Sequence, residues 1–440
     1  MNARALRNLD LESAYGEAEA DYKRGNPASG AGIEANARVM PGGNTRTVLH
    51  FAPYPLVLTR GEGCYVWDAD GHRYIDFLGE YTAGLYGHSH PVIVEAIRKA
   101  LADGIVLGGP NVYEGRLAAE LTKRIPSLDL VRFCNSGTEA NLYAVSTARA
   151  VTGRSRILVF DGAYHGGVFY YAHGGTPLNA PFPVVLGRYN DLEGTRALIR
   201  EHAKELAAVL IEPMMGAGGC IQAEVPFLEM LREETEKAGI VLVFDEVMTS
   251  RLSAGGLQKV VGVTPDMTSL GKYLGGGMTF GAFGGRRAIM RRFDPRDPDA
   301  FPHAGTFNNA VLTMAAGYAG LSQAYTPEAA EALNRRGDET RERLRALSLK
   351  HDVPVQFLGR GSMTNLHVTR ATIRSPHDLE GASKRATDII HLDLLARGIY
   401  IARRGFIILS LPMTQGDLDA LVNAMDAVLE ERAELLRAAV

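Results

Sequence analysis

Cysteine is scarce in this sequence. Three stand in 440 residues, Cys64, Cys134 and Cys220, far apart and without a metal-ligating companion at short spacing. So sparse and odd a set excludes a disulfide framework and predicts reduced, core-packed thiols in a cytoplasmic protein. Long apolar runs are also missing. No stretch of about 18 apolar residues occurs, so no transmembrane helix is expected. The N-terminus, MNARALRNLDLESAYGEAEADYKRG, has no apolar core and is rich in acids. It reads as neither secretory signal nor transit peptide. An excess of one charge is missing too. Lys+Arg total 47 against Asp+Glu 50, a formal charge of −3. That balance speaks against nucleic acid or an anionic membrane as the main partner.

What is present is an ordinary globular mix with one deviation. Hydrophobic residues make up 46% and charged residues 22%, while glycine reaches 49. That is about 11%, against a usual value near 7%. The excess is not periodic, so it predicts tight turns and close backbone approaches. At about 150 residues per domain, the length suggests three domains. The pattern suggests instead one large domain and a split small one.

Residues 1–40 read as polar helix, ending at Pro41-Gly42-Gly43. Strands are expected at Leu56–Leu58, Cys64–Trp67 and Tyr74–Phe77, the last two joined by an Asp68-Ala69-Asp70-Gly71 turn. Amphipathic helices follow near Pro91–Ala102 and Tyr113–Arg124. From about Leu130, short apolar runs alternate with helical stretches. The runs are Val131–Cys134, Ile157–Phe160, Val184–Leu186, Ala207–Ile211 and Val241–Phe244. The helices are 137–151, 191–205 and 226–238. This alternation predicts a buried, mostly parallel sheet of an α/β domain. Phe280–Gly285 is a further strand candidate, of antiparallel sense. Beyond Thr326 helices dominate, with short strands at Val355–Phe357, Asn365–His367 and Ile407–Leu411. The last 25 residues read as one helix. The expected division is residues 1–75 packing with the small domain, 76–330 as the large domain and 331–440 as an α+β small domain.

Several motifs fail. Gly30-Ala31-Gly32-Ile33-Glu34-Ala35 matches a dinucleotide fingerprint formally but follows no strand. Gly271-Lys272-Tyr273 lacks the remainder of a P-loop. His88-Ser89-His90 has no carboxylate companion nearby in sequence, so no metal is expected there. No Gly-x-Ser-x-Gly elbow is present.

Three predicted strand ends carry chemistry. At Asn135-Ser136-Gly137-Thr138-Glu139, a strand gives way to a helix. Free N–H groups, hydroxyls and the positive helix end would make an anion cup. At Phe244-Asp245-Glu246-Val247, two acids follow an apolar strand, where open α/β sheets bind ligands. At Leu270-Gly271-Lys272-Tyr273, a lysine lies among glycines, 27 residues beyond Asp245. A phosphate cup, a buried acid and a lysine in this order describe a site for pyridoxal phosphate.

With these residues in place, the sequence resembles the class III, fold-type I pyridoxal-phosphate-dependent aminotransferases. The likeness runs from about Gly42 to Pro412. It includes GEGCYVWDADGHRYIDF (61–77), YGHSHP (86–91), NSGTEAN (135–141), YHGG (164–167), IEPMMG (211–216), FDEVMTSR (244–251), LGKYLGGG (270–277) and AGTF (304–307). It implies a large domain around a mostly parallel seven-stranded sheet. It implies Lys272 as the Schiff-base lysine and Asp245 as partner of the pyridine nitrogen. Ser136, Gly137 and Thr138 would surround the phosphate, Tyr164 and Val247 the two ring faces, and Glu212 would lie near the cofactor. Thr306 would reach the phosphate of the neighbouring subunit in a homodimer with shared sites.

Within that family, PGGNTRTVLHFAPYPL (41–56), EYTAG (80–84), GTFNN (305–309) and RRGFIILSLP (403–412) look like β-amino-acid aminotransferases, including those acting on β-phenylalanine. Glutamate-1-semialdehyde aminomutases share several motifs. However, their GTLSGNP-like segment is replaced here by Gly305-Thr306-Phe307-Asn308-Asn309. An ω-amine transaminase is the other alternative. The subgroup likeness makes Arg46 and Arg404 candidate receptors for the carboxylates of a β-amino donor and a keto-acid acceptor, 2-oxoglutarate or pyruvate. An arginine fork suits a carboxylate better than lysine does. Arg403, next in sequence, could exchange roles with Arg404. Tyr81 and Val48 would line the same pocket.

Overall fold

The computed structural model describes residues 10–440. The start of the expected N-terminal helix, residues 1–9, lies outside the described residues. From there Leu11–Gly25 and Pro27–Ala37 are helical. The second helix begins under the carboxylate of Asp70, which accepts from the N–H groups of Ala28 (2.7 Å) and Ser29 (2.9 Å). A side chain from the hairpin turn thus satisfies donors that every helix start leaves open.

The central sheet has seven strands. In spatial order they are Leu130–Cys134, Gly281–Gly285, Met267–Gly271, Val241–Asp245, Leu206–Ile211, Arg156–Phe160 and Val184–Gly187. Gly281–Gly285 runs antiparallel to both neighbours and the other pairs are parallel. The three strands Leu206–Ile211, Val241–Asp245 and Met267–Gly271 are buried at every residue. Their side chains alternate between two cores. Ala208, Leu210, Val241 and Val243 pack with Ala140, Ala144 and Ala148 of the helix Gly137–Thr152. Val209, Ile211, Leu242 and Phe244 face Phe227, Leu228 and Leu231 of Val225–Ala238. Both faces are covered, which explains why these strands read as continuous apolar runs.

A four-stranded sheet joins the chain ends. Leu58–Glu62, Tyr65–Asp68 and Arg73–Asp76 form an antiparallel meander, and Ile399–Tyr400 adds in parallel to the last of them. The helix Leu11–Gly25 lays Ala14, Tyr15 and Ala18 into one cluster with Ile389 and Leu392 of Lys384–Leu395. A third sheet pairs Val355–Arg360, Met363–Val368 and Phe406–Ile408.

Several boundaries differ from the sequence reading, among them the strands Val355–Arg360 and Met363–Val368, which pair over longer stretches than Val355–Phe357 and Asn365–His367. The first strand is Leu58–Glu62, not Leu56–Leu58. Its register is set by the Gly63–Cys64 turn, which puts Glu62 opposite Tyr65. The expected helix 191–205 is Leu192–Glu201, because the His202 carbonyl accepts from the N–H groups of Glu205 and Leu206 and turns the chain into the next strand. The strand expected at Ile407–Leu411 is Phe406–Ile408, its pairing ending at Met363. The C-terminal helix is two, Gln415–Glu431 and Ala433–Ala438. They part at the buried Arg432, whose Nε donates to Asp393 Oδ2 at 2.8 Å. Among the described residues no helix is long and apolar enough to cross a membrane. All three cysteines are buried and unpaired.

Candidate active site

Sheet register brings the three chemistry-bearing loops to one edge. Asp245 ends its strand opposite Ser269, and Lys272 follows Gly271 directly. Gly271 is opposite Gly281, which is opposite Cys134, two residues before Ser136. All three loops therefore leave the carboxyl edge, where ligands bind in such sheets. The approach is close. A Cβ on Gly137 would sit 2.8 Å from both methyls of Val247, so only glycine fits.

Asp245 is buried and held by three donors. Its Oδ2 accepts from Asn141 Nδ2 and His165 Nδ1, each at 2.8 Å, and its Oδ1 accepts from the Val247 N–H at 3.0 Å. These bonds fix the plane of the carboxylate and place the His165 proton on Nδ1. The opposite ring atom, His165 Nε2, is buried without a partner among the described residues. Neither Asn141 nor His165 was assigned a role from sequence. Each stands inside a quoted segment, but its meeting with Asp245 across 104 and 80 residues is a tertiary event.

Lys272 adopts the left-handed region at φ +59°. Such a conformation costs a non-glycine residue on the order of 1–3 kcal/mol and tends to persist at functional sites. Among the described residues its amine has no hydrogen-bond or ion-pair partner. Burial pushes its pKa down to about 8, helped by the charges of Arg46 and Arg404 and opposed by Glu80 and Asp245.

The cup has the donors a phosphate needs. Ser136 caps the helix, its Oγ accepting from the Glu139 N–H at 3.1 Å. The N–H groups of Gly137 and Thr138 have no backbone acceptor among the described residues. Thr138 Oγ1 accepts from the Gly167 N–H at 3.2 Å, and a Cβ on Gly166 would lie 2.3 Å from that oxygen. Open N–H groups at the positive end of a 16-residue helix suit a dianion. Glu212 stands beside this group. It is buried, and accepts from the N–H groups of Gly216 (3.0 Å) and Tyr164 (3.2 Å). Burial pushes its carboxyl above the usual range. The Tyr164 ring is 42% exposed, edge-on to Tyr170 at 5.8 Å. Thr306 is exposed and makes no hydrogen bond to the cup residues of its own chain among the described residues.

The arginines converge on one ring. Arg46 lies 5.8 Å and Arg404 5.0 Å from the centre of Tyr81. Tyr81 donates its hydroxyl to the Val48 carbonyl at 3.2 Å. Arg46 is paired with Glu80. Arg404 has no carboxylate partner among the described residues. Arg403 is different. Its Nε and Nη2 grip Asp388 at 2.6 and 2.8 Å. That bidentate pair engages Arg403, while Arg404, next to it, has no such partner among the described residues. Arg251 was also missed. It is fully buried, and donates to Ser362 Oγ (3.0 Å), the Thr82 carbonyl (3.4 Å) and the Leu409 carbonyl. Thr82 ends a run of four left-handed residues, Gly79 to Thr82. Arg251 thus ties the Tyr81 turn to the segment following Arg404. His88, read as lacking a carboxylate companion, has one in Asp76 at 2.9 Å.

These residues fit pyridoxal phosphate: an anion cup, an amine of lowered pKa and an oriented acid at one sheet edge. Known proteins agree. The class-III aminotransferase family matches residues 50–429. The chain is 49% identical over 431 residues to a beta-phenylalanine transaminase of Variovorax paradoxus, covering 98% of this chain and 99% of that protein. A solved beta-phenylalanine aminotransferase from Variovorax paradoxus has a TM-score of 0.94 at 49% identity, covering 95% of this chain and 97% of that one. An omega-transaminase from Sphaerobacter thermophilus has a TM-score of 0.87 at 40% identity, over 92% and 98%. This chain therefore belongs to the class-III aminotransferases, the pyridoxal-phosphate-dependent transaminases of fold type I.

Proposed function

We propose that this enzyme moves the amino group of a β-amino acid, aromatic ones such as β-phenylalanine included, to 2-oxoglutarate or pyruvate, releasing a β-keto acid. The observation that carries this reading is the pair of arginines flanking Tyr81, with Arg404 unpaired. Two guanidinium groups at one site suit a donor and an acceptor that each present a carboxylate. The 49% identical relative supports the β-amino donor.

Bound here, pyridoxal phosphate would supply an electron sink for the carbon bearing the amino group. In this reading, Ser136, Gly137 and Thr138 hold the phosphate. Tyr164 and Val247 cover the ring faces, and Glu212 lies alongside. Asp245 meets the ring nitrogen. Lys272 Nζ anchors the cofactor, then takes and returns the proton as general base. The reading includes a homodimer. Ile105, Val106, Leu107 and Phe307 are each more than half exposed. Asn309 ties the segment of Phe307 to the one that follows Leu107, its side chain donating to the Gly109 carbonyl and its own carbonyl accepting from Asn111 Nδ2. Large apolar side chains exposed on two joined segments suit a partner's surface. A second copy would bring Thr306 to the neighbouring cup.

A screen of α-, β- and ω-amino compounds of both hands, with 2-oxoglutarate and pyruvate as acceptors, tests the reading. Ketone formation from β-amino acids with acceptor amination is expected. Reaction only with simple amines would favour the ω-amine alternative. Reaction on glutamate semialdehyde without an acceptor would favour the aminomutase. In the same assay, Arg404→Ala should cost the 2-oxoglutarate half-reaction about 10- to 150-fold, the range for a charged hydrogen bond of about 1.5–3 kcal/mol. Pyruvate should suffer less, and equal losses would contradict a role for Arg404 on the second carboxylate.

Lys272 also sets a pH dependence. Its pKa is lowered to about 8, so the folded protein favours the neutral amine above that pH. Covalent uptake of pyridoxal phosphate consumes the neutral amine, so its rate in the apoprotein should climb through about pH 8. The same sign makes the apoprotein gain stability between about pH 8 and the ordinary lysine value of 10.5. Stopped-flow absorbance would measure the uptake rate. A midpoint at the ordinary lysine value would contradict the assignment.

A further inference from the structure

The cavity beside the arginines is much larger than a phenyl group requires. Its volume is about 500 Å³. A cavity of ~150 Å³ is enough to bind benzene. Val48, Tyr81 and Arg404 line it, with Leu366 and Leu379 among its apolar walls. Lys272 is not among its walls, so it would take a substituent rather than the reacting carbon.

The walls have the character of a ligand surface. The space is kept open by small residues, among them Gly162, Ala172, Ala217, Gly218 and Ala382. Four polar side chains of its walls are taken up by one another, Arg403 with Asp388 and His377 with Asp161 at 2.9 Å, which leaves Arg404 as the wall guanidinium without a carboxylate partner among the described residues. Lys384 and Glu380, both exposed, mark where the cavity meets solvent.

We propose that this cavity receives the β-substituent of the donor, and that the preferred donors are β-amino acids with extended substituents, long alkyl chains or two-ring aryl groups, rather than β-phenylalanine. The proposal rests on the β-amino-acid reading above. The volume holds roughly three benzene-sized units, and each further buried CH₂ strengthens binding about fourfold. The gain should appear in KM, because the contacts are remote from the carbon that changes.

The test uses the holoenzyme with 2-oxoglutarate or pyruvate, whichever supports turnover. The donors are 3-amino-3-phenylpropanoate, 3-amino-3-(biphenyl-4-yl)propanoate and 3-aminododecanoate. The two long donors should exceed the phenyl compound at least tenfold in kcat/KM, through a lower KM. Ala382→Trp, which fills the cavity from its wall, should cost the long donors at least tenfold and leave the phenyl donor within twofold. Ala172→Trp, on a separate wall segment, serves the same purpose if the first variant fails to fold. Long donors no better than phenyl would overturn the proposal, as would plugs that hurt every donor equally or none. Turnover of short β-amino acids alone would overturn this proposal and spare the parent reading. No turnover of any β-amino acid would overturn both.

Discussion

Lys272→Ala is expected to lower kcat by about 10⁴-fold or more, the upper end for loss of a positioned general base. It should also end covalent attachment of the cofactor while leaving weak binding. The reason is positional. Lys272 emerges from the carboxyl edge of the Met267–Gly271 strand with no partner for its amine among the described residues and with a pKa lowered to about 8. Borohydride reduction followed by peptide mass spectrometry should find the cofactor on residue 272 of the wild type and on no residue of the variant. A small primary amine added to the variant should restore a fraction of the turnover, because it supplies the missing base. Undiminished turnover by the alanine variant would sink the assignment.

Asp245→Asn should lower kcat by about 10²–10³-fold, the range found when a preorganised electrostatic contact to developing charge is removed. Two effects combine. The negative charge proposed to meet the ring nitrogen is lost. The amide also mismatches its surroundings, since Asn141 and His165 donate to Oδ2 and the Val247 N–H donates to Oδ1. An amide offers one acceptor oxygen, so either its NH₂ faces the Val247 N–H or it faces two side-chain donors. A buried donor left unpaired costs about 1–3 kcal/mol. The variant should therefore also lose thermal stability. A deuterium isotope effect from a donor labelled at the reacting carbon separates the two consequences. It should rise as proton transfer becomes rate-limiting, which a purely structural defect would not cause. Near-normal rates would remove Asp245 from its role as partner of the ring nitrogen.

Much of this site was legible in sequence, for a local reason. In a parallel sheet with helices on both faces, every strand end of the same sense opens on the same edge. A residue just past an apolar strand is thereby placed without knowledge of the rest of the fold. Ser136, Gly137, Thr138, Asp245 and Lys272 are all of that kind. The apolar runs that announced the strands were legible because those strands are buried on both faces. The strand boundaries were less so. Leu58–Glu62 is largely exposed, and its register came from a turn rather than from apolar pattern.

The sequence by itself determined the family and the placement of a lysine, an acid and a helix start at strand ends of one sense. Only tertiary structure decided how the substrate end is built. Arg403 and Arg404 are neighbours in a loop, and nothing local says which is free. Asp388, on the helix Lys384–Leu395, engages Arg403 and leaves Arg404 without a carboxylate partner among the described residues. Arg46 meets Glu80, and Arg251 meets Thr82, Ser362 and Leu409, across separations that no periodicity encodes. The cavity has no sequence signature at all. It is the space left between segments beginning near residues 47, 81, 161, 170, 217, 365, 376 and 403, and such a volume exists only once they have packed.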